Sequence, residues 1–188
     1  MDHKGTKTIE TERLILRKFS PDDDEAMFNN WASDDEVTKF LMWPTHPNID
    51  VTKYVLDLWV TDYNKEDNYQ WGITVKENGD EVIGSIAAVD VNDQAGKIHI
   101  GYCISRKWWR KGITSEALAA LIRFFFDEVK ANRIESRFDP RNPNSGKVMA
   151  KCGLKYEGTL RQSDWNNQGI CDAAYYGLLR SEWEENKR

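Results

Sequence analysis

The chain has 188 residues, is 40% hydrophobic and 30% charged, and carries a formal net charge of −5, a balance that belongs to folded globular domains and excludes a disordered chain. No apolar run approaches the roughly 20 residues needed to cross a bilayer, and the polar start MDHKGTKTIE lacks the apolar core of a signal peptide, so one cytoplasmic domain over residues 1–188 is expected. The acidic balance argues against nucleic-acid binding. Cys103, Cys152 and Cys171 form no C-x-x-C pair and His3, His46 and His99 show no ligand spacing, so neither a disulfide framework nor a metal site is expected.

In chain order, the alternating RLILRKF predicts a strand over Arg13 to Phe19. SPDDDEAMFNNW then reads as a helix start, with Ser20 as cap, Pro21 at the first position, and Asp22 to Asp24 where the helix dipole favours anions. Ser33 with Glu36 forms a second capping box before a short helix. Val51, Val55, Leu58 and Trp59 fall at helical intervals between Asp50 and Tyr63. YQWGITVKE and VIGSIAAVD follow as strands joined through Asn78-Gly79, a hairpin signal, and KIHIGYCIS completes an antiparallel meander. A helix from about Thr114 carries Leu118, Ile122, Phe125 and Val129 on one stripe, widened by Leu121, Phe124 and Phe126, so it is expected to pack between layers. Strand RIESRFD, turn PRNP, helix NSGKVMAKC stopped by Gly153, and strands around LKYEGTLRQSDW and CDAAYYGLLRSEW end a mixed α/β chain.

RKWWRKGITSEAL, Arg106 to Leu118, concentrates positive charge at one helix entrance. A strand ending near Ser105 and a helix beginning near Thr114 leave the amides of Lys111, Gly112, Ile113, Thr114, Ser115 and Glu116 without helical partners, and such amides attract anions. Gly112 lets the backbone approach a ligand closely, while Arg106, Lys107, Arg110 and Lys111 add charge to a dipole worth about 0.3–1 kcal/mol per exposed charge. The pattern fits a pyrophosphate cradle, though it is neither a P-loop nor a three-glycine dinucleotide fingerprint. Equally, basic residues at a helix start can simply cover a surface.

TERLILRKF, IGYCI, WRKGITSEAL, NPNS and CGLKYEGTLRQ, in that order along nearly the whole chain, resemble the GNAT acetyltransferase superfamily, and within it the ribosomal-protein N-terminal alanine and serine acetyltransferases. The resemblance implies an α/β (α+β) GNAT fold: a mixed, mostly antiparallel twisted sheet flanked by helices, whose parallel central strands IHIGYCI and RIESRFD splay apart. It implies acetyl-CoA as co-substrate, with the pyrophosphate on the amides of Lys111 to Ser115 and the pantetheine arm along Ile100 to Ile104. Trp109 stands where many members carry Gln or Arg, and Thr114 where a small residue is usual, which leaves a backbone cradle but unsettles side-chain contacts. The cofactor-binding set is thus Ile104, Arg106, Trp109, Arg110, Lys111, Gly112, Ile113, Thr114, Ser115, Glu116, Asn142 and Ser145.

Acetyl transfer needs a neutral amine, a donor for the thioester carbonyl and a proton for the leaving thiolate. Asn142 can bind a pantetheine amide or cap the helix, and Ser145 has a hydroxyl able to reach sulfur. Many members place a general-acid tyrosine where Met149 stands, so by position in the ribosomal branch Ser145 takes the acid role and Asp164, nineteen residues on, the base role. His99 is the rival base because histidine titrates near neutrality. Alternation places Ile98 and Ile100 on the opposite face from His99. Trp43 and His46, in the proline-broken loop LMWPTHPNID, are candidates for the acceptor-side wall, with Trp71 and Trp165 drawn from the same aromatic supply.

An α-amine with pKa near 8 loses its proton at neutrality far more readily than a lysine near 10.4, so a weak base suits an N-terminal amine. The expected activity is therefore direct acetyl transfer to an N-terminal α-amine, such as that of a ribosomal protein, by a monomer or homodimer. The alternatives are a small-molecule amine acetyltransferase acting on a polyamine, amino acid or antibiotic, and a non-catalytic CoA-binding sensor.

Overall fold

The computed structural model describes residues 1–185. Strands β1 (Ile9–Glu10) and β2 (Leu14–Arg17) lead to α1 (Asp24–Met27), which runs into a π-turn at Phe28–Ala32, then α2 (Asp35–Thr38) and α3 (Ile49–Asp62). Strands β3 (Gln70–Val75), β4 (Val82–Asn92) and β5 (Lys97–Ile104) form the meander, followed by α4 (Ile113–Asp127), β6 (Arg133–Phe138), α5 (Pro143–Lys151), β7 (Lys155–Asn166), β8 (Gly169–Leu179) and α6 (Arg180–Glu185). The strands form one eight-stranded sheet in the order β1-β2-β3-β4-β5-β6-β8-β7. Every neighbouring pair is antiparallel except β5 and β6.

Two apolar layers hold the sheet. On one face α4 buries the full width of its apolar surface, Leu118, Leu121, Ile122, Phe124, Phe125, Phe126 and Val129, against Trp71, Ile73, Ile98 and Ile100. Each of these large side chains contributes on the order of 1.5–3 kcal/mol on leaving water. Phe126 also stacks on Trp183 of α6 at 5.9 Å, so α4 is covered on its outer side as well. On the other face Phe19, Met27, Trp31, Leu56 and Val82 join α1 and α3 to the sheet. The acid run before α1 is structural: buried Asp23 accepts a bond from Ser20 N at 2.8 Å and takes two N–H groups of Arg17.

Three local expectations are corrected. Asp34, not Ser33, caps α2, accepting from Glu36 N at 3.0 Å, because the π-turn directs the Ser33 hydroxyl back to the Phe28 carbonyl at 2.7 Å. Asn78-Gly79 does not make a two-residue hairpin: a 3-10 turn over Lys76–Asn78 precedes Gly79 at φ 73°, and β4 resumes only at Val82. The last strand ends at Leu179 because Glu182 turns its carboxylate back to Leu179 N at 3.0 Å and starts α6.

Candidate active site

The parallel pair β5 and β6 is joined only at Lys97–Arg133, Ile98–Ile134 and His99–Glu135, after which the strands separate while both continue. Two side features fix the opening. Ser136, buried on β6, donates its hydroxyl to the Ile100 carbonyl at 2.7 Å, satisfying the first acceptor beyond the paired stretch. Opposite, the register of β4 against β5 shifts between Ala88 and Asp90, and a Cβ on Gly101 would lie 2.9 Å from Val89 Cγ1, so a side chain there would force the bulged Val89 to shift. The expected splay is therefore present. Ile98 and Ile100 enter the α4 core while His99 meets Glu135, as alternation implies.

At the end of β5 the chain makes two left-handed residues, Arg110 at φ 61° and Gly112 at φ 77°, before α4 begins at Ile113. Among the described residues, the amides of Lys111, Gly112, Ile113, Thr114 and Ser115 donate to no protein acceptor. Glu116 differs from expectation. Its amide already bonds the Gly112 carbonyl at 3.0 Å, and its carboxylate holds Thr11 Oγ1 at 2.6 Å, Arg13 N at 2.9 Å and Arg13 Nε at 2.6 Å. Burial alone would raise that carboxyl, but the bonds from Thr11 and Arg13 lower it below the usual range.

The side chains around this turn divide into engaged and free. Arg106 is turned away, pairing with Asp34 at 2.6 Å, and Trp109 donates its indole N–H to the Ile104 carbonyl at 2.9 Å. Ile104 and Ile113 are buried in the core, so they offer a ligand only backbone. Lys111 lies over the Trp108 ring at 4.6 Å, and Arg110 is exposed. Sequence reasoning missed two cations beside the turn. A Cβ placed on Gly112 would lie 3.4 Å from Arg13 Nη2 and 3.9 Å from Lys151 Nζ, although Arg13 immediately precedes β2 and Lys151 ends α5.

On the far side of the splay, Asn142 stands at the N-cap of α5, yet its side chain makes no capping bond and stays available, with Pro143 opening the helix. Ser145 lies one turn inside, half-buried, and its carbonyl accepts the Tyr102 hydroxyl at 3.0 Å, a bond that crosses from β5 to α5. Burial pushes that phenol far up. Met149 is buried in the core. Cys103, beside Ser85 at 3.6 Å, is pushed up to about 11 by burial and so stays a thiol.

The opposite face of the splay carries charge. Glu135 takes Lys97 at 2.8 Å, Arg133 at 2.9 Å and His99 Nδ1 at 3.4 Å. Burial would raise Glu135, but the bonds from Lys97 and Arg133 hold it at about 2. His99 is lowered, first by burial and then by the Arg137 cation, so it is neutral at pH 7. Asp164 is not an open carboxylate: Oδ2 accepts Arg137 Nε at 2.5 Å and Oδ1 accepts Trp165 N at 3.0 Å. Arg137 also points Nη2 at Met42 Sδ, 3.7 Å away. The tip of the β7–β8 hairpin is tied to the loop after α2 by Asn167, whose N bonds Leu41 O at 3.1 Å while Nδ2 bonds Thr38 O at 2.9 Å and Trp43 O at 2.8 Å.

Of the aromatic wall candidates, Trp165 is exposed on β7 and Trp43 is half-buried in the strapped loop, its ring tilted against His46 at 5.3 Å. His46 and Trp71 are corrected. His46 is buried with Nδ1 on Thr52 Oγ1 at 2.7 Å, holding the loop to α3, and desolvation lowers it. Trp71 is fully buried in the α4 core with its N–H on Lys7 O at 2.6 Å. Arg137, Glu135 and Asn167 were missed because their partners lie far away in sequence; the turn letters NNQG around Asn167 were the one local signal. Among the described residues no helix is long and apolar enough to cross a membrane, and no group of His, Cys, Asp and Glu is placed to hold a metal.

Residues 13–155 match the acetyltransferase (GNAT) domain family. The chain is 32% identical over 178 residues to the uncharacterized N-acetyltransferase p20 of Bacillus licheniformis, covering 94% of this chain and 98% of that protein. It is 26% identical over 187 residues to the [ribosomal protein uS5]-alanine N-acetyltransferase of Escherichia coli, covering 95% and 87%. A GNAT acetyltransferase structure from Bacillus anthracis superposes with TM-score 0.81 at 26% identity, covering 94% of this chain and all of that one. A splayed β5–β6 pair, unpaired amides at the entrance to α4 and these matches together mean that the chain belongs to the GNAT acetyltransferases and is an acyltransferase.

Proposed function

We propose that the protein transfers the acetyl group of acetyl-CoA to the N-terminal α-amine of a protein or peptide, ribosomal proteins being the class suggested by the Escherichia coli relative. GNAT enzymes use acetyl-CoA, and the residues here suit it: a left-handed Gly112, five free amides and nearby cations favour a diphosphate. When bound, it supplies an acetyl thioester. Asn142 and Ser145, at the first turn of α5 with polar side chains uncommitted to capping, would hold the pantetheine end and hydrogen-bond the sulfur. The amine attacks directly, since Cys103 stays protonated and gives no acyl-enzyme.

The observation that carries the N-terminal reading is the Asn167 strap. It joins the hairpin tip to the loop after α2, and an acceptor entering between these two segments would be bounded along that edge, which suits a chain end better than the middle of a continuous polypeptide. An α-amine is also partly neutral at pH 7, so it needs only a weak acceptor for its proton. His99 is neutral there, and Asp164 stands paired with Arg137; either receives the proton directly or through water. The test follows free thiol on mixing the protein with acetyl-CoA and panels of N-terminal peptides, internal-lysine peptides, polyamines and amino acids. Acceptor-dependent release with N-terminal peptides is expected. Turnover of small amines alone would move the assignment to a small-molecule enzyme, and tight CoA binding with no release would make it a sensor.

A further inference from the structure

Gly112 is approached from two sides by cations that belong to neither the turn nor α4. Arg13, on the residue before β2, spends Nε on Glu116 Oε2 at 2.6 Å and Nη1 on the Lys111 carbonyl at 3.0 Å. Its Nη2 lies 3.4 Å from where a Gly112 Cβ would sit and donates to no acceptor among the described residues. Lys151, the last residue of α5, places Nζ 3.9 Å from the same point, is exposed and has no ion-pair partner among the described residues. The uncommitted Nη2 of Arg13 and the ammonium of Lys151 thus converge on a position where the backbone lacks a side chain and its amide lacks an acceptor.

Resting on the acetyl-CoA reading above, we propose that Arg13 and Lys151 form a two-cation clamp on the diphosphate of the co-substrate, with Arg13 as the specific arm and Lys151 as a point charge. Arg13 is held in a fixed orientation by Glu116 and by the turn's own carbonyl, so its remaining N–H fork is presented with little conformational freedom left to lose. Lys151 hangs on a free aliphatic stem and contributes attraction without direction. Arg13 immediately precedes β2 and Lys151 ends α5, so the clamp forms only when β2 and α5 are both in place beside the entrance to α4. Arg106, one of the four basic residues before Gly112, plays no part in this clamp because Asp34 holds it.

The experiment is calorimetric binding of CoA and of dephospho-CoA to the wild-type protein, Arg13→Gln, Arg13→Lys and Lys151→Gln, at low and high salt. The clamp predicts about tenfold weaker binding for Arg13→Gln, a smaller loss of about threefold for Lys151→Gln, and the same factors for both ligands, because each keeps the diphosphate. Arg13→Lys retains the charge and is expected to recover part of the loss. Lys151→Gln alters an exposed, unpaired side chain, so its folding is unaffected and its affinity change reads the contact alone. Equal affinity of Lys151→Gln and wild type, or a loss in Arg13→Gln for CoA but not dephospho-CoA, overturns the diphosphate clamp. Failure of the wild type to bind either ligand would instead overturn the acetyl-CoA reading, so the two failures are distinct.

Discussion

The two sides of the β5–β6 opening are built by different means. The α4 entrance is a backbone site: left-handed Arg110 and Gly112, five amides with no acceptor among the described residues, and the cationic ends of Arg13 and Lys151 beside Gly112. The face carrying His99, Glu135, Arg137 and Asp164 is a side-chain site in which nearly every charge already has a protein partner. On the proposed reading the first receives the charge of the co-substrate, and the second keeps a fixed electrostatic frame around the neutral amine. A change at the first is therefore expected to strike binding, and a change at the second selectivity and pH response.

The largest expected break is Gly112→Val. A β-branched residue at φ 77° is strained by about 1–3 kcal/mol, and its branches would enter the space 3.4 Å from Arg13 Nη2. CoA affinity is expected to fall about 100-fold in calorimetry, with some loss of melting temperature. Unchanged affinity would mean the backbone entrance is not the anion site, and the contrast between the two sides would collapse. Next in size is Asn167→Ala, which removes the two Nδ2 bonds to the loop but keeps the bond from its backbone N. At about 0.5–1.5 kcal/mol per bond and partial exposure, KM for an N-terminal peptide is expected to rise roughly tenfold, with CoA affinity unmoved. A parallel loss of CoA affinity would show that the strap serves the whole fold and not the acceptor side.

How far each side could be read from letters follows from the same contrast. The α4 entrance is local in sequence: one glycine between basic residues and a helix-forming run suffices to expose unpaired amides, and the chain there behaves as those letters imply. The sheet and the α4 layer were legible for the same reason, since periods of two and of 3.6 are local patterns. What local patterns do not carry is pairing at a distance. Glu116 looked like one more cradle residue, but its partners Thr11 and Arg13 lie more than a hundred residues upstream. Asp164 looked like a free carboxylate until Arg137 arrived from β6, and His46 and Trp71 looked like wall until packing enclosed them. In each case burial or a remote opposite charge decided the role.

The smallest expected effect concerns pH, and it sharpens the contrast because one of the two histidines with lowered titration, His99, lies at the β5–β6 opening, while the other, His46, is enclosed in the loop against α3. His99 faces Glu135 and Arg137 of β6 and sits beside Lys97 on its own strand; His46 is enclosed against Thr52 of α3. Both are lowered from 6.5, mainly by desolvation, so in the folded protein they resist the proton that they accept when unfolded. The unfolded state then binds more protons as pH drops below about 6.5, and stability is lost progressively from there downward through the lower folded values. Glu135, held at about 2, acts in a separate window, losing its contribution as pH falls from 4.5 toward 2. Melting temperature is therefore expected to be flat from pH 8 to 7 and to decline by a few degrees between pH 6.5 and 5. His99→Gln, which keeps a hydrogen-bonding side chain but does not titrate, is expected to flatten part of that decline, leaving the share due to His46. A slope unchanged by His99→Gln would place the acid sensitivity outside the β5–β6 opening and remove the fixed electrostatic frame from the account of the acceptor side.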